Sequence, residues 1–448
     1  MQGTYDLTKG RVSARLMGFF FPMLLTNTLQ QAYTFVDTIM VGKGLGDQAL
    51  GSVGNLSSLT LLITGFLMGI TNGFSVNIAQ CFGAGDGNLL RKGIAHSIKL
   101  CGIIAAAFTL ISLVCLKPLL LFMQTSPFLM RDGLLYGYIV FGGLIVTAAY
   151  HLCSGILRAL GDSRTPFKAI IISSAMNILL DGILIFGLRT GVEGAAFATV
   201  VSQAVSVLIC CHKLRKDELL KLQRKDFTQD RSVVRSLLKQ GVPAACMNAV
   251  TAVGCMVVQG YVNALGAAFT AAYSACSKYL NLVMLPSLTA GFSLSAFVSQ
   301  NKGAGYTQRI REGVRIGVWI ALVSWIAVGS LMVFLPDRLA GLMLNETDAI
   351  LLTAGFLRIC GLALLLLNLL FVFRNTVQGM GHPLVSMCSG IVEMALRIAV
   401  ITLLLTKIGF HAAAYAESVA WFGALLLNVA AYFVLIRRRE GEDSNMHE

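Results

Sequence analysis

Asn27, Gln30, Thr34 and Asp37 recur at spacings of three and four, with Tyr33 beside them, and on a helix they form one polar stripe down a single face. Ser174, Asn177 and Asp181 repeat the pattern in a later segment, and Thr199 opens the next one. All lie in otherwise apolar stretches. An ionisable group at the centre of a bilayer costs roughly 2.5–3.5 kcal/mol on insertion scales, so a carboxylate kept there calls for a reason. A polar stripe facing lipid is costly, and both stripes should therefore point into a helix bundle. Carboxylate, amide and hydroxyl oxygens suit a small hard cation. Two carboxylates held close also repel when both are ionised, which a bound cation or a proton relieves. Asp37, Asn177, Asp181 and Thr199 are thus expected to form a coupling site for Na⁺ or H⁺, with the first of these the candidate metal. By depth along their helices at 1.5 Å per residue, the four share the outer half of the amino-terminal bundle. Gln30, Tyr33 and Thr34, with Gln259 in the second half, are the candidates for lining a substrate cleft.

The second half carries different chemistry. The position matching Asp37 is Val257, with Gln259 the nearest polar group, and Lys278, Arg358, Glu393, Arg397 and Glu417 fall within apolar segments. Glu393 and Arg397, four apart, can pair on one helix face. Charges inside a membrane find partners, so these five are expected to form a charge network, and ion chemistry should sit mainly in the first half. Enzymatic chemistry has little to stand on. The six histidines include no H-E-x-x-H, and the eleven cysteines show no metal-ligand spacing and read as small hydrophobes between helices. No cofactor is expected.

The elements that must position these residues follow from composition. The chain has 448 residues, 56% hydrophobic and 13% charged, with a mean hydropathy of +0.74. Soluble domains are about 25% charged, so a water-soluble globule is excluded. Twelve apolar segments, at 15–41, 53–78, 93–116, 134–157, 168–187, 195–211, 242–263, 271–298, 314–335, 351–373, 384–406 and 412–436, are each about long enough to span a bilayer as a helix. They alternate too little for a barrel. With the loops assigned to alternate sides, 26 of the 35 Lys and Arg residues fall on one side, six on the other and three within segments. Basic loops stay in the cytoplasm, which places both termini there and the protein in the plasma or inner membrane. The net charge of +13 is then a topology signal, and no nucleic-acid partner is expected. The first apolar run is too long for a cleavable signal peptide and should remain as the first span.

The chain also repeats itself at a shift of 220. Gln80-Cys-Phe-Gly83-Ala84-Gly85 recurs as Gln300-Asn-Lys-Gly303-Ala304-Gly305, Leu45-Gly46 as Leu265-Gly266, Arg91 as Arg311, Gly93 as Gly313 and Gly161 as Gly381. The glycine loops lack the Lys-Ser/Thr and the strand of a phosphate-binding loop, and read as tight turns. Each half holds six spans and so has the same orientation. The fold expected is an all-α polytopic membrane protein of twelve transmembrane helices, in two six-helix bundles related by a pseudo-two-fold axis along the membrane normal. The expected divisions are a cytoplasmic segment 1–14, an N-lobe 15–211, a basic linker 212–241, a C-lobe 242–436 and a tail 437–448. Pro22 is expected to kink the first helix.

In these features the sequence resembles the multidrug and toxic compound extrusion (MATE) family over about 14–436. The resemblance rests on Pro22 followed by Val36-Asp37-Thr38-Ile39-Met40-Val41-Gly42 and Leu45-Gly46, on the paired Gln-x-x-Gly-Ala-Gly loops, and on Arg158-Ala-Leu-Gly161-Asp162 through Pro166. Asn177-x-x-x-Asp181 and Gly194-Ala-Ala-Phe-Ala-Thr199 complete it. It implies a two-lobed antiporter that exports organic, often cationic, drug-like compounds in exchange for Na⁺ or H⁺ by alternating access. In the DinF-like branch, the residues matching Asp37, Asn177, Asp181 and Thr199 form the N-lobe cation or proton site, and all four are present. The C-lobe acids of the NorM-like branch have no counterpart, so no C-lobe cation site of that type is expected. Lipid-linked saccharide flippases of the same superfamily are the alternative, with Lys278, Arg358 and Arg397 available to meet a pyrophosphate. The partners expected are small-molecule substrates and the lipid bilayer, and the protein is expected to be monomeric.

Overall fold

The computed structural model describes residues 6–122, 125–217, 220–344 and 346–445. The expected terminal segments 1–14 and 437–448 lie partly outside this range. Every regular element among the described residues is a helix. The first half contains α1 (Val12–Leu45), α2 (Asp47–Gly83), α3 (Gly87–Phe122), α4 (Pro127–Gly142), α5 (Leu144–Ala159), α6 (Arg164–Asp181) and α7 (Val192–Lys216). The second contains α8 (Arg231–Asn263), α9 (Ala267–Val283), α10 (Leu285–Gly303), α11 (Thr307–Ser324), α12 (Ser330–Phe334), α13 (Pro336–Gly341), α14 (Thr347–Gly379), α15 (Pro383–Ile408) and α16 (His411–Asn445).

Nine stretches are long and apolar enough to cross a membrane, and two bent pairs, α4 with α5 at 42° and α9 with α10 at 43°, raise the number to eleven. α1, with 34 residues, is long enough to be a further span. The protein is an all-helical polytopic membrane protein of about twelve spans. The bend at Gly142–Gly143 and the one at Met284, ahead of Pro286, break helices where a donor is missing or no side chain holds the turn. Single π turns follow α6 at Gly182–Gly187 and α11 at Trp325–Gly329.

The repeat is visible in the backbone. Gly46, Gly85, Gly161 and Gly191 have positive φ, and so do Gly266, Gly305, Gly381 and Gly409, at shifts of 220, 220, 220 and 218. A left-handed residue costs a side-chain-bearing residue about 1–2 kcal/mol, which explains why glycine recurs at these turns.

The chain forms two compact units, Phe21–Ala245 in one, and Leu7–Phe20 with the chain from Cys246 onward in the other. The division therefore falls inside α1, beside Pro22, and inside α8, just past Pro243. In the first unit, a Cβ on Gly73 of α2 would lie 2.5 Å from the Gln240 carbonyl oxygen of α8. Only glycine permits that approach. The unit's core gathers Leu67, Ile70, Phe74, Ile78, Leu116, Phe141 and Leu152. In the second unit, Leu7 is fully buried and its N–H donates to Gln300 Oε1 at 3.0 Å. Arg309 donates to the Leu7 and Gly10 carbonyls, tying this strap to α10 and α11. That unit's core centres on Phe356, Leu364, Leu370, Phe410 and Trp421.

The stretch expected as the linker is partly helical. α7 runs to Lys216, a 3-10 turn spans Arg224–Phe227, and α8 starts at Arg231. Asp230 caps α8, its Oδ1 accepting from the backbone N–H groups of Ser232 at 3.2 Å and Val233 at 3.4 Å; it also accepts from Ser232 Oγ at 2.6 Å and pairs with Lys92 Nζ of α3 at 3.0 Å. These contacts hold its carboxyl far below the usual carboxylate range. His96 Nε2 accepts the Asp230 N–H at 3.2 Å.

Candidate functional site

Three helices of the first unit build the site: α1 brings Tyr33 and Asp37, α6 brings Asn177 and Asp181, and α7 brings Thr199. Two local features set their approach. A Cβ on Gly44 would lie 2.4 Å from Ile185 Cγ2, so the bare glycine lets the end of α1 press against the π turn that follows Asp181. That turn also frees part of the backbone ladder one residue after the carboxylate, a disruption that recurs at functional sites.

Asn177 and Asp181 are fully buried. With its amide oriented to satisfy both neighbours, Asn177 Nδ2 donates to Asp181 Oδ2 at 2.8 Å, and its Oδ1 accepts from the Thr199 backbone N–H at 3.2 Å. The Thr199 hydroxyl donates to the Ala195 carbonyl at 3.0 Å and lies within hydrogen-bonding reach of Tyr33. The Asp37 and Asp181 carboxyls are within hydrogen-bonding reach of each other. Asp37 Oδ1 and Asp181 Oδ1 are buried and receive no hydrogen bond from the described residues. Two carboxyl oxygens cannot hydrogen-bond without a proton between them, and two ionised ones side by side need a counter-cation. Chemically, this arrangement can accommodate one small positive charge.

Tyr136 of α4, which the sequence reading passed over, has its hydroxyl close enough to Asp37 and Asp181 to feel both charges. Its signal was weak, because an aromatic in an apolar span reads first as core. Of the cleft candidates, Tyr33 joins this cluster. Gln30 and Thr34 are exposed on α1, where the Thr34 hydroxyl donates to the Gln30 carbonyl at 2.9 Å. Gln259 belongs to the second unit and donates to Asn263 at 2.6 Å.

The five charges read as one network in the second half divide. Glu393, Arg397 and Glu417 come together with Arg374, which falls one residue past the apolar segment 351–373. Arg397 Nη2 donates to Glu393 Oε1 at 3.0 Å and to Glu417 Oε2 at 2.8 Å, and Arg374 Nη2 donates to Glu393 Oε2 at 2.5 Å. All four are buried. Arg358 lies elsewhere, exposed and paired with Asp337 at 3.0 Å, and Lys278 is exposed. Helix reach explains the split: α14 extends to Gly379 and carries Arg374 inside the bundle, whereas Arg358 stands near the other end of the same helix, beside α13.

The sequence profile of the MatE family matches residues 22–183 and 243–403, one stretch in each repeat. The chain is 27% identical over 389 residues to "Probable multidrug resistance protein YoeA" of Bacillus subtilis (strain 168), covering 85% of this chain and 84% of that protein. It is 27% identical over 382 residues to "Probable multidrug resistance protein YpnP" of the same organism, covering 85% of each. The fold matches a crystal structure of a MATE protein in the bent conformation with a TM-score of 0.90, at 20% identity and 99% coverage of both chains.

Proposed function

The chain belongs to the MatE family, and from that premise we propose that Asp37, Asn177, Asp181 and Thr199 form the cation site that drives it. The protein is a multidrug efflux transporter of this family, in keeping with the multidrug resistance named for its relatives, and the family couples export to an ion. The observation that carries the site is the pair Asp37 and Asp181, whose carboxyls meet while each keeps a buried oxygen without a donor. Either H⁺ or Na⁺ fits this pair. The retention of all four residues supports placement in the DinF-like branch. The concentration of Lys and Arg on one set of loops supports an inner-membrane location with both termini in the cytoplasm.

Coupling follows from differential binding. A cation between Asp37 of α1 and Asp181 of α6 draws the two helices together, and its loss lets them separate. If drug binds one packing better, cation and drug disfavour each other by the same free energy. A flippase for pyrophosphate-linked sugars would gather basic groups, but Arg397 is neutralised by two glutamates, Arg358 pairs with Asp337 and Lys278 stands apart. The test is ethidium efflux from everted vesicles under separately imposed sodium and pH gradients. Wild type is expected to respond to one of the gradients, and Asp37→Asn and Asp181→Asn, at equal expression, to neither. Normal ion-driven export by both variants would overturn the assignment.

A further inference from the structure

Three of the buried charges of the second unit, Glu393, Arg397 and Glu417, lie on α15 and α16, the helices that follow the same glycine turns as α6 and α7, which carry Asn177, Asp181 and Thr199 in the first. Gly191 and Gly409 mark the turns before α7 and α16, and Thr199 and Glu417 each lie eight residues beyond them, in Gly194-Ala-Ala-Phe-Ala-Thr199 and Ala412-Ala-Ala-Tyr-Ala-Glu417. On α6, Asn177 and Asp181 lie eleven and fifteen residues past Pro166. On α15, Glu393 and Arg397 lie ten and fourteen past Pro383, the same spacing of four displaced by one residue. On the first helix of each repeat, Val257 stands for Asp37. One turn earlier, Gly254 leaves the space in which Arg397 sits, because a Cβ there would lie 3.0 Å from Arg397 Nη1.

Arg397 is an unusual buried arginine. One nitrogen, Nη2, serves both glutamates, while Nε and Nη1 are buried and have no partner among the described residues. A guanidinium optimised for stability would present paired nitrogens to a carboxylate, fork to fork. Here it acts as a point charge between two carboxylates, which is the task of a bound monovalent cation. A buried ion pair of this kind is a weak source of stability.

We propose that Arg397 is a tethered cation, which permanently fills in the second unit the site that the first unit fills and empties with an exchangeable one. The second unit is thereby held in its cation-bound packing, with Glu393 and Glu417 neutralised from within and Arg374 balancing the remaining charge. One exchangeable cation site, not two, then remains per molecule. The inference rests on the first unit's cation reading for its meaning, but the site itself is tested separately.

Arg397→Ala should expose two carboxylates to an added monovalent cation. In purified protein, methylguanidinium chloride in the tens of millimolar should raise the thermal unfolding midpoint of Arg397→Ala by several degrees over tetramethylammonium chloride at the same ionic strength, since a ligand stabilises the state it binds. Wild type and Arg397→Lys should show no such difference, and Arg397→Ala with Glu417→Gln should lose it. The response should persist in a background carrying Asp37→Asn and Asp181→Asn, so its presence or absence is independent of the efflux test. A folded Arg397→Ala that ignores methylguanidinium, or a response shared by wild type or kept by the double variant, would overturn the proposal. Should Arg397→Ala fail to fold, restoring charge balance becomes the readout: Arg397→Met with Glu417→Gln should recover folded protein where Arg397→Met alone does not. Equal failure of the two would also overturn it.

Discussion

Asn177 is the residue on which the geometry of the proposed cation site turns. Its amide holds Asp181 on one side and the α7 backbone at Thr199 on the other. Hydrogen bonds to charged groups contribute about 1.5–3 kcal/mol, so Asn177→Ala should weaken cation affinity about tenfold or more, read as the sodium or proton concentration that half-saturates efflux. Thr199→Val should cost less, because the contact to Asn177 uses the Thr199 backbone N–H, which valine keeps. Asp37 and Asp181 were legible in the sequence because a carboxylate in an apolar span is costly enough to need a purpose. Tyr136 and Arg374 were not. A tyrosine in an apolar span carries no cost that flags it, and whether an arginine near a span's end lies in a loop or in the bundle depends on where the helix stops.

At the scale of helices, close approach decides position. Gly73 of α2 touches the backbone of α8, and Gly44 of α1 touches Ile185. The two contacts should respond differently to an added methyl group. At Gly73 the obstacle is backbone, which cannot turn aside, so Gly73→Ala should lower stability by about 1–3 kcal/mol, seen as a lower unfolding midpoint. At Gly44 the obstacle is a side chain near the cation site, so Gly44→Ala should change ion dependence of efflux more than the unfolding midpoint. The start of α8 offers a pH test. The Asp230 carboxyl is depressed by Ser232 and Lys92, so its stabilising contribution is fully present above the ordinary carboxylate value of about 4 and is lost only as pH falls through its lower folded value. Asp230→Asn should accordingly lower the unfolding midpoint near neutral pH, with the gap to wild type closing only in strong acid. Most of the spans were readable from apolar length alone. The bends within two of them and the helical ends of the linker were not, since these depend on packing and capping that periodicity does not record.

Over the whole chain, each unit has its own core, and the strap Leu7–Gly10 is part of the second. Leu7 is buried like a core leucine, so Leu7→Ala should cost about 2–5 kcal/mol, measurable as a drop in the unfolding midpoint. The sequence by itself determined the class of molecule, the approximate number of spans, the duplication and the presence of two carboxylates inside apolar segments. Each of these follows from a transfer cost or a backbone constraint that a residue carries wherever it goes: apolar length, the expense of a buried charge, the left-handed turn that glycine allows. Only the tertiary structure decided which polar groups meet. Asp37 and Asp181, 144 residues apart, come within reach through the π turn and Gly44. Arg397 joins Glu417 but not Lys278 or Arg358, and the strap and the start of α1 belong with the second half of the chain. Those outcomes are set by the directions of helices and the depth at which they cross, and a one-dimensional pattern holds neither.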